Sequence, residues 1–259
     1  MRILLISPLY NSYIVAPCLG LGYLTSALKK HGHKVLVLDG LREKIEYDPS
    51  EWDLVGVTAM STYFPECIKE VKRAKSYGLK TIIGGAHIIC KPIQSLIDSG
   101  ADYAAIGEGE KTMIQLASGI PPAQVDGLAY WENGKAVQSK QSDNMIGNTE
   151  SGKTTFLMKK DVYTMQIGNL KRDFQMDIDN FGQPDWSAID PRTYPIAPAG
   201  MIANAHPLAP IITTRGCPYS CTYCSAPITA GKRMRYRDPK NVVDEMEMLV
   251  NDYGVKEIQ

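Results

Sequence analysis

No apolar window in the 259-residue sequence approaches the ~20 residues that a membrane-spanning helix needs. The opening MRILLISPLY has only a short apolar run behind one arginine, without the long apolar region and small-residue cleavage site of a secretory leader. There is no charge excess either. Lys plus Arg and Asp plus Glu both number 28, which gives neither the basic field that draws nucleic acid nor the acidic surplus of a solvating tail. What is present is the composition of an ordinary globular chain, 44% hydrophobic and 22% charged, long enough for one large domain or two. We expect a cytoplasmic chain with no transmembrane segment and no nucleic-acid partner. In that compartment thiols stay reduced, and a tight cysteine cluster binds metal rather than forming disulfides.

The first half alternates strands and helices. RILLIS, HKVLVLDG, WDLVGVTAMS, LKTIIGG and the start of ADYAAIGEGE read as five strands, apolar throughout as expected when both faces of a sheet are covered. Between them lie helices. LGLGYLTSALKKHG carries Leu21, Leu24 and Leu28 at helical spacing, and PECIKEVKRAKSYG starts at Pro65 with Ile68, Val71 and Ala74 on one face. KPIQSLIDSG is a short helix with Ile93, Leu96 and Ile97 inward. This alternation implies a doubly wound parallel five-stranded sheet of Rossmann-like α/β type, and such sheets bind ligands beyond the carboxyl ends of their strands. Those ends carry SPLYNS, TAMST, GGAH and GEGE, where Gly84, Gly85, Gly107 and Gly109 let backbone approach something large and flat or offer bare amides to a phosphate.

GLAYWENGKAVQS is predicted to be a hairpin turning at Asn133-Gly134. The polar stretch that follows reads as a linker, which divides the chain into residues 1–138, a linker at 139–205 and a second unit at 206–259. Gly147 to Thr154 satisfies G-x4-G-K-T, but the SKQSDN before it makes a poor central strand to deliver a phosphate loop, although TTFLMKK can start a helix. In the second unit APIITTRG reads as a short strand running straight into GCPYSCTYC, which sets Cys217, Cys221 and Cys224 in C-x3-C-x2-C spacing. A zinc site normally takes four ligands, and here only His206 is near enough to make a Cys3His set. A four-iron cluster held by three thiolates instead leaves one iron open. The isolated Cys18, Cys67 and Cys90 read as core or helix residues. Downstream, Asp238 caps a helix opened by Pro239, with Val242, Met246, Leu249 and Tyr253 on one face and Gly254 closing it, and VKEIQ begins another strand.

GCPYSCTYC resembles the cluster loop of the radical S-adenosylmethionine (radical SAM) enzymes, with an aromatic residue just before the last cysteine. The N-terminal pattern of LGLGYLTSALKKHGHKV, GGAH and GEGE, followed by PDWSAID, resembles the cobalamin-binding class of those enzymes. The resemblance implies that Cys217, Cys221 and Cys224 each ligate one iron of a 4Fe-4S cluster and that Tyr223 lies beside the adenine of S-adenosylmethionine. It implies cobalamin contacts at Ser61, Thr62, Gly84, Gly85, His87, Gly107, Glu108 and Gly109. No D-x-H-x-x-G occurs, so His87 is not assigned as a lower axial ligand of cobalt. In that class the amino and carboxylate groups of S-adenosylmethionine chelate the open iron, and one electron from the cluster cleaves the sulfonium to methionine and a 5′-deoxyadenosyl radical.

The expected function is a cobalamin-dependent radical SAM enzyme acting on a small molecule, by methyl transfer to an unactivated carbon or a related ring-forming reaction, with an electron donor such as flavodoxin or ferredoxin. The alternative is a cobalamin- or small-ligand-binding module whose cysteine loop holds zinc or is vestigial, without catalysis. A barrel needs on the order of 200 residues, and Ile211 to Gln259 supplies 49. The sequence therefore carries the first strand-helix unit of an incomplete radical SAM (β/α) barrel. We expect it to be a fragment or truncated product that does not turn over substrate by itself.

Overall fold

In the computed structural model, which describes residues 1–11, 15–139, 154–159, 162–167, 170–196 and 203–259, the apolar runs become parallel strands. They are β1 (Arg2–Ser7), β2 (Lys34–Asp39), β3 (Leu54–Thr58), β4 (Lys80–Gly84) and β5 (Tyr103–Ala105). Their connecting helices are α1 (Leu19–Lys30), α2 (Phe64–Ser76), α3 (Ala86–Cys90), α4 (Pro92–Ser99) and, after β5, α5 (Gly109–Ala117). Alternate residues of β1 enter two separate cores. Ile3 and Leu5 pack with Leu21 and Leu28 of α1, whereas Leu4 and Ile6 pack with Cys67 and Val71 of α2 and Leu96 of α4. That two-sided burial is why the strand reads as unbroken apolar sequence.

The sheet has seven strands, not five. Hairpin β6 (Leu128–Glu132) and β7 (Lys135–Gln138) continues it antiparallel, in the order β2-β1-β3-β4-β5-β6-β7. Without the hairpin, β5 would present an open edge of unpaired backbone groups, and the hairpin's own Leu128 and Ala129 are buried in the sheet's two cores. Asn133 and Gly134 both take positive φ, 50° and 75°, as the predicted turn requires. In α4, Leu96 is buried and Ile93 half-buried as expected, but Ile97 is 49% exposed. One residue advances about 100° around a helix, and Ser95 and Ser99 complete the buried side instead.

The stretch 139–205, expected as a linker, is built into the fold over much of its length. It contains an antiparallel sheet of β8 (Thr154–Lys159), β9 (Val162–Ile167) and β10 (Leu170–Gln175). Residues 178–194 then form a strap with Ile178, Trp186, Ile189 and Tyr194 all buried. Asp185 N–H donates to the Gly22 carbonyl at 3.0 Å, and Tyr194 Oη donates to Asp39 at 2.9 Å. Gly22 is required for this approach, because a Cβ there would lie 2.6 Å from Ile189 Cδ1. Residues 147–153 of the phosphate-loop sequence lie outside the described residues, and Thr154 opens strand β8 rather than a helix.

The last unit is a β-α-β crossover. β11 (Leu208–Ala209) pairs parallel with β14 (Glu257–Ile258) through α7 (Pro239–Tyr253), whose Asp238 cap accepts from Lys240 N–H and whose Gly254 ends it in the left-handed region. APIITTRG is not one continuous strand. Pro210 lacks a ladder donor, and the pairing switches from β14 to β13 (Arg235–Tyr236) at β12 (Thr214–Arg215), with α6 (Ala226–Ala230) between β12 and β13. α7 is tied to the strap through Trp186 Nε1, which donates to the buried Glu245 at 2.9 Å, and Glu245 also accepts from Arg237. Among the described residues no helix is long and apolar enough to cross a membrane.

Candidate functional site

Strand order reverses between β1 and β3, and a cavity of about 490 Å³ opens there beyond the carboxyl ends of the parallel strands. Its floor is apolar, with Leu5, Val57, Ile82 and Ile83 at the strand ends and Tyr23, Leu24 and Met113 from helices α1 and α5. Gly84, Gly85, Gly107, Glu108 and Gly109 line it, as expected. Its opposite wall comes from the last unit: Thr214, Arg215 and Gly216 just before the cysteines, and Thr229 and Ala230 just after them.

Gly85 has φ 104°, and a Cβ there would meet the Ala59 carbonyl oxygen at 2.6 Å, so the loops after β3 and β4 can lie back to back only with glycine at this position. Ser61, Thr62 and His87 stand on that rim and do not line the cavity. Ser61 Oγ and His87 Nδ1 are 2.9 Å apart, and the His87 ring stacks on Phe64 at 4.0 Å. Partial burial lowers the His87 pKa, which favours the neutral ring.

Glu108 lines the cavity, but its carboxylate is taken by arginine. Arg235 holds it through both guanidinium nitrogens, at 2.9 and 3.0 Å, and Arg215 reaches it at 3.1 Å. Arg215 also donates to Glu110 at 3.2 Å, and its guanidinium lies over the rings of Tyr23 and Phe181. Burial pushes the Glu110 pKa up, with Arg215 opposing the shift. Sequence reasoning assigned neither arginine. The signal was there in the charges of TRGC and RMRYR set among apolar and glycine residues, but their partners lie more than 100 positions away.

The cysteine loop is pinned at its stems. Gly216 takes φ 113° against the backbone of Arg233, Cys217 N–H donates to the Gly231 carbonyl at 2.8 Å, and Ala226 N–H donates to Cys224 Sγ at 3.4 Å. Cys217 is half-buried, Cys221 and Cys224 are exposed, and Tyr223 is 91% exposed. Among the described residues no group of three or more His, Cys, Asp or Glu side chains is placed to hold a single metal ion, so the loop does not preform the Cys3His site that His206 would complete. A cluster that takes one thiolate per iron asks for no such convergence on one point. Three soft donors on one anchored, open loop, one already accepting a backbone N–H at sulfur, fit that requirement. The remaining thiols differ. Burial raises the Cys67 pKa to about 12 and that of Cys18 to about 11, so both stay protonated, and Cys90 is exposed at the end of α3.

The B12 binding domain family matches residues 11–117, and the radical SAM superfamily matches residues 211–259. The chain thus matches a B12 binding domain over much of its first half and the radical SAM superfamily at its far end. An uncharacterised methyltransferase of Pyrococcus horikoshii is 27% identical over 282 residues, which takes in 100% of this chain and 52% of the relative. The anaerobic magnesium-protoporphyrin IX monomethyl ester cyclase of Cereibacter sphaeroides is 26% identical, over 98% of this chain and 39% of the relative. The chain spans about half the length, or less, of these curated relatives. In fold it is similar to the radical S-adenosylmethionine methyltransferase TsrM of Kitasatospora setae, solved with cobalamin and a [4Fe-4S] cluster bound. The TM-score is 0.69 at 21% identity, covering 99% of this chain and 47% of that one.

Proposed function

We propose that this chain is the cofactor-holding part of a cobalamin-dependent radical SAM enzyme of methyltransferase type. Cys217, Cys221 and Cys224 would ligate three irons of a 4Fe-4S cluster, and Tyr223 would lie against the adenine of S-adenosylmethionine. When bound, the cluster and S-adenosylmethionine supply radical chemistry, and cobalamin supplies a transferable methyl group. Cobalamin would lie along the glycine-marked edge at Gly84, Gly85, Gly107 and Gly109, with Ser61, Thr62 and His87 on its rim. Glu108 would lie along the same edge, its carboxylate held by Arg215 and Arg235. We assign residues 1–138 to the cobalamin domain and 206–259 to the start of the radical SAM domain. Methyl transfer to an unactivated carbon of a small molecule is the favoured reaction, and ring formation, the activity named for the Cereibacter sphaeroides relative, is the related outcome. The enzyme would work in the cytoplasm with a flavodoxin- or ferredoxin-type electron donor.

The observation that carries this reading is the double lining of one cavity, by the sheet edge of the B12-binding domain on one side and by residues flanking the three-cysteine loop on the other. A Cβ at Gly84 would make only ordinary contact, 3.7 Å from Ala105 Cβ, so Gly84→Leu fills the cavity without forcing the backbone. Titration with hydroxocobalamin is expected to show binding weakened by about 100-fold in this variant, equivalent to about 3 kcal/mol. Unchanged affinity would remove the cavity from the cobalamin site.

A further inference from the structure

We propose that Glu108 and Glu110 are positioning residues: by holding Arg215 and Arg235 they dock the cysteine loop onto the carboxyl edge of the sheet and set how far the cluster stands from the cavity. This rests on the cofactor reading above for what occupies each side, but the docking itself is a property of the protein chain.

Glu108 and Glu110 sit where β5 hands over to α5, at the one end of the sheet that the cysteine unit covers. Their side chains are 12% and 8% exposed, and that of Arg235 is fully buried. Two carboxylates desolvated side by side repel each other, and two buried guanidinium groups do the same. Each pair is tolerable only with the other in place, so the charges specify one docked arrangement. Geometry reinforces the choice. Arg235 grips Glu108 bidentately and also donates to the Gln175 and Ala230 carbonyls, which ties the end of β10 and the end of α6 to the same point. Arg215 is fixed by two carboxylates and two aromatic faces, and it lies two residues before Cys217. With Gly216 seated on the Arg233 backbone between them, little freedom is left for the first thiol to move relative to β5.

The test is the double variant Glu108→Gln, Glu110→Gln in the full-length protein, which keeps side-chain size and removes both charges. Hydrogen exchange without cofactors should show amides 214–225 exchanging about tenfold faster or more, while the strands β1, β3 and β4 keep their protection. In protein reconstituted with iron, sulfide and hydroxocobalamin, the relaxation enhancement that the reduced cluster imposes on the cob(II)alamin electron spin signal should weaken at parental iron and cobalt content. Parental exchange of 214–225 in the double variant overturns the proposal. So does faster exchange spread evenly over the whole sheet, which would mark the four charges as general stabilisers of the fold. Failure of the parent to bind hydroxocobalamin would instead count against the cofactor reading, with the exchange result still deciding whether the carboxylates position the loop.

Discussion

Replacing any one of Cys217, Cys221 and Cys224 by alanine is expected to reduce bound iron from about four per chain to near zero after anaerobic reconstitution, with loss of the brown colour. The effect should be close to all-or-none, because three thiolates are already one short of the usual cluster ligand set, and losing one leaves two on a solvent-exposed loop. Among the described residues no group of three or more His, Cys, Asp or Glu side chains is gathered at one point to offer a ready alternative site. The other cysteines provide the control. Cys67 is fully buried on α2 with its pKa raised by desolvation, and Cys67→Ala should leave iron content at the parental level while lowering stability modestly. If Cys221→Ala retained full iron, the loop would not be the cluster site. If Cys67→Ala abolished iron while the protein stayed folded, the assignment of ligands would be wrong.

Gly216→Ala should approach the same loss of iron without touching a sulfur. Gly216 has φ 113°, and a Cβ built there would lie 2.1 Å from the Arg233 carbonyl oxygen and 2.8 Å from its carbon. Those are backbone atoms joining α6 to β13, so no side-chain rotation relieves the contact, and the left-handed conformation adds its own strain. Together the two cost about 3 kcal/mol or more. The cheapest relief is for the loop to swing off its seat, which carries Cys217 away from its hydrogen bond to Gly231. The two main cores do not include Gly216, so far-ultraviolet circular dichroism should be unchanged while iron uptake falls severalfold. Parental iron content in a folded Gly216→Ala protein would show that this seat does not matter to the cluster.

The parallel strands were legible because burial on both faces leaves an uninterrupted apolar signature, and the glycine-marked ends of β4 and β5 were legible because tight turns at that edge admit little else. The cap and stop of α7 at Asp238 and Gly254 are local chemistry and could be read directly. What could not be read depends on partners far away in sequence. The hairpin was visible from Asn133-Gly134, but nothing local says that its first strand pairs with β5. The strap at 178–194 hides four buried anchors in a polar stretch, because a segment packed by single side chains has no periodicity. Ile97 was misplaced since the three apolar residues Ile93, Leu96 and Ile97 fix the face of a two-turn helix only to within a residue. Glu108 was read as a cofactor contact and does line the cavity, but the sequence does not show that its carboxylate is held by Arg235, 127 positions later.

The central claim, that one cavity between the B12-binding sheet and the three-cysteine loop serves two cofactors, is tested most directly by metal analysis of the anaerobically purified protein reconstituted with iron, sulfide and hydroxocobalamin. The account expects a brown protein with about four irons per chain and equimolar cobalt. A colourless protein holding equimolar zinc and no cobalt would contradict it.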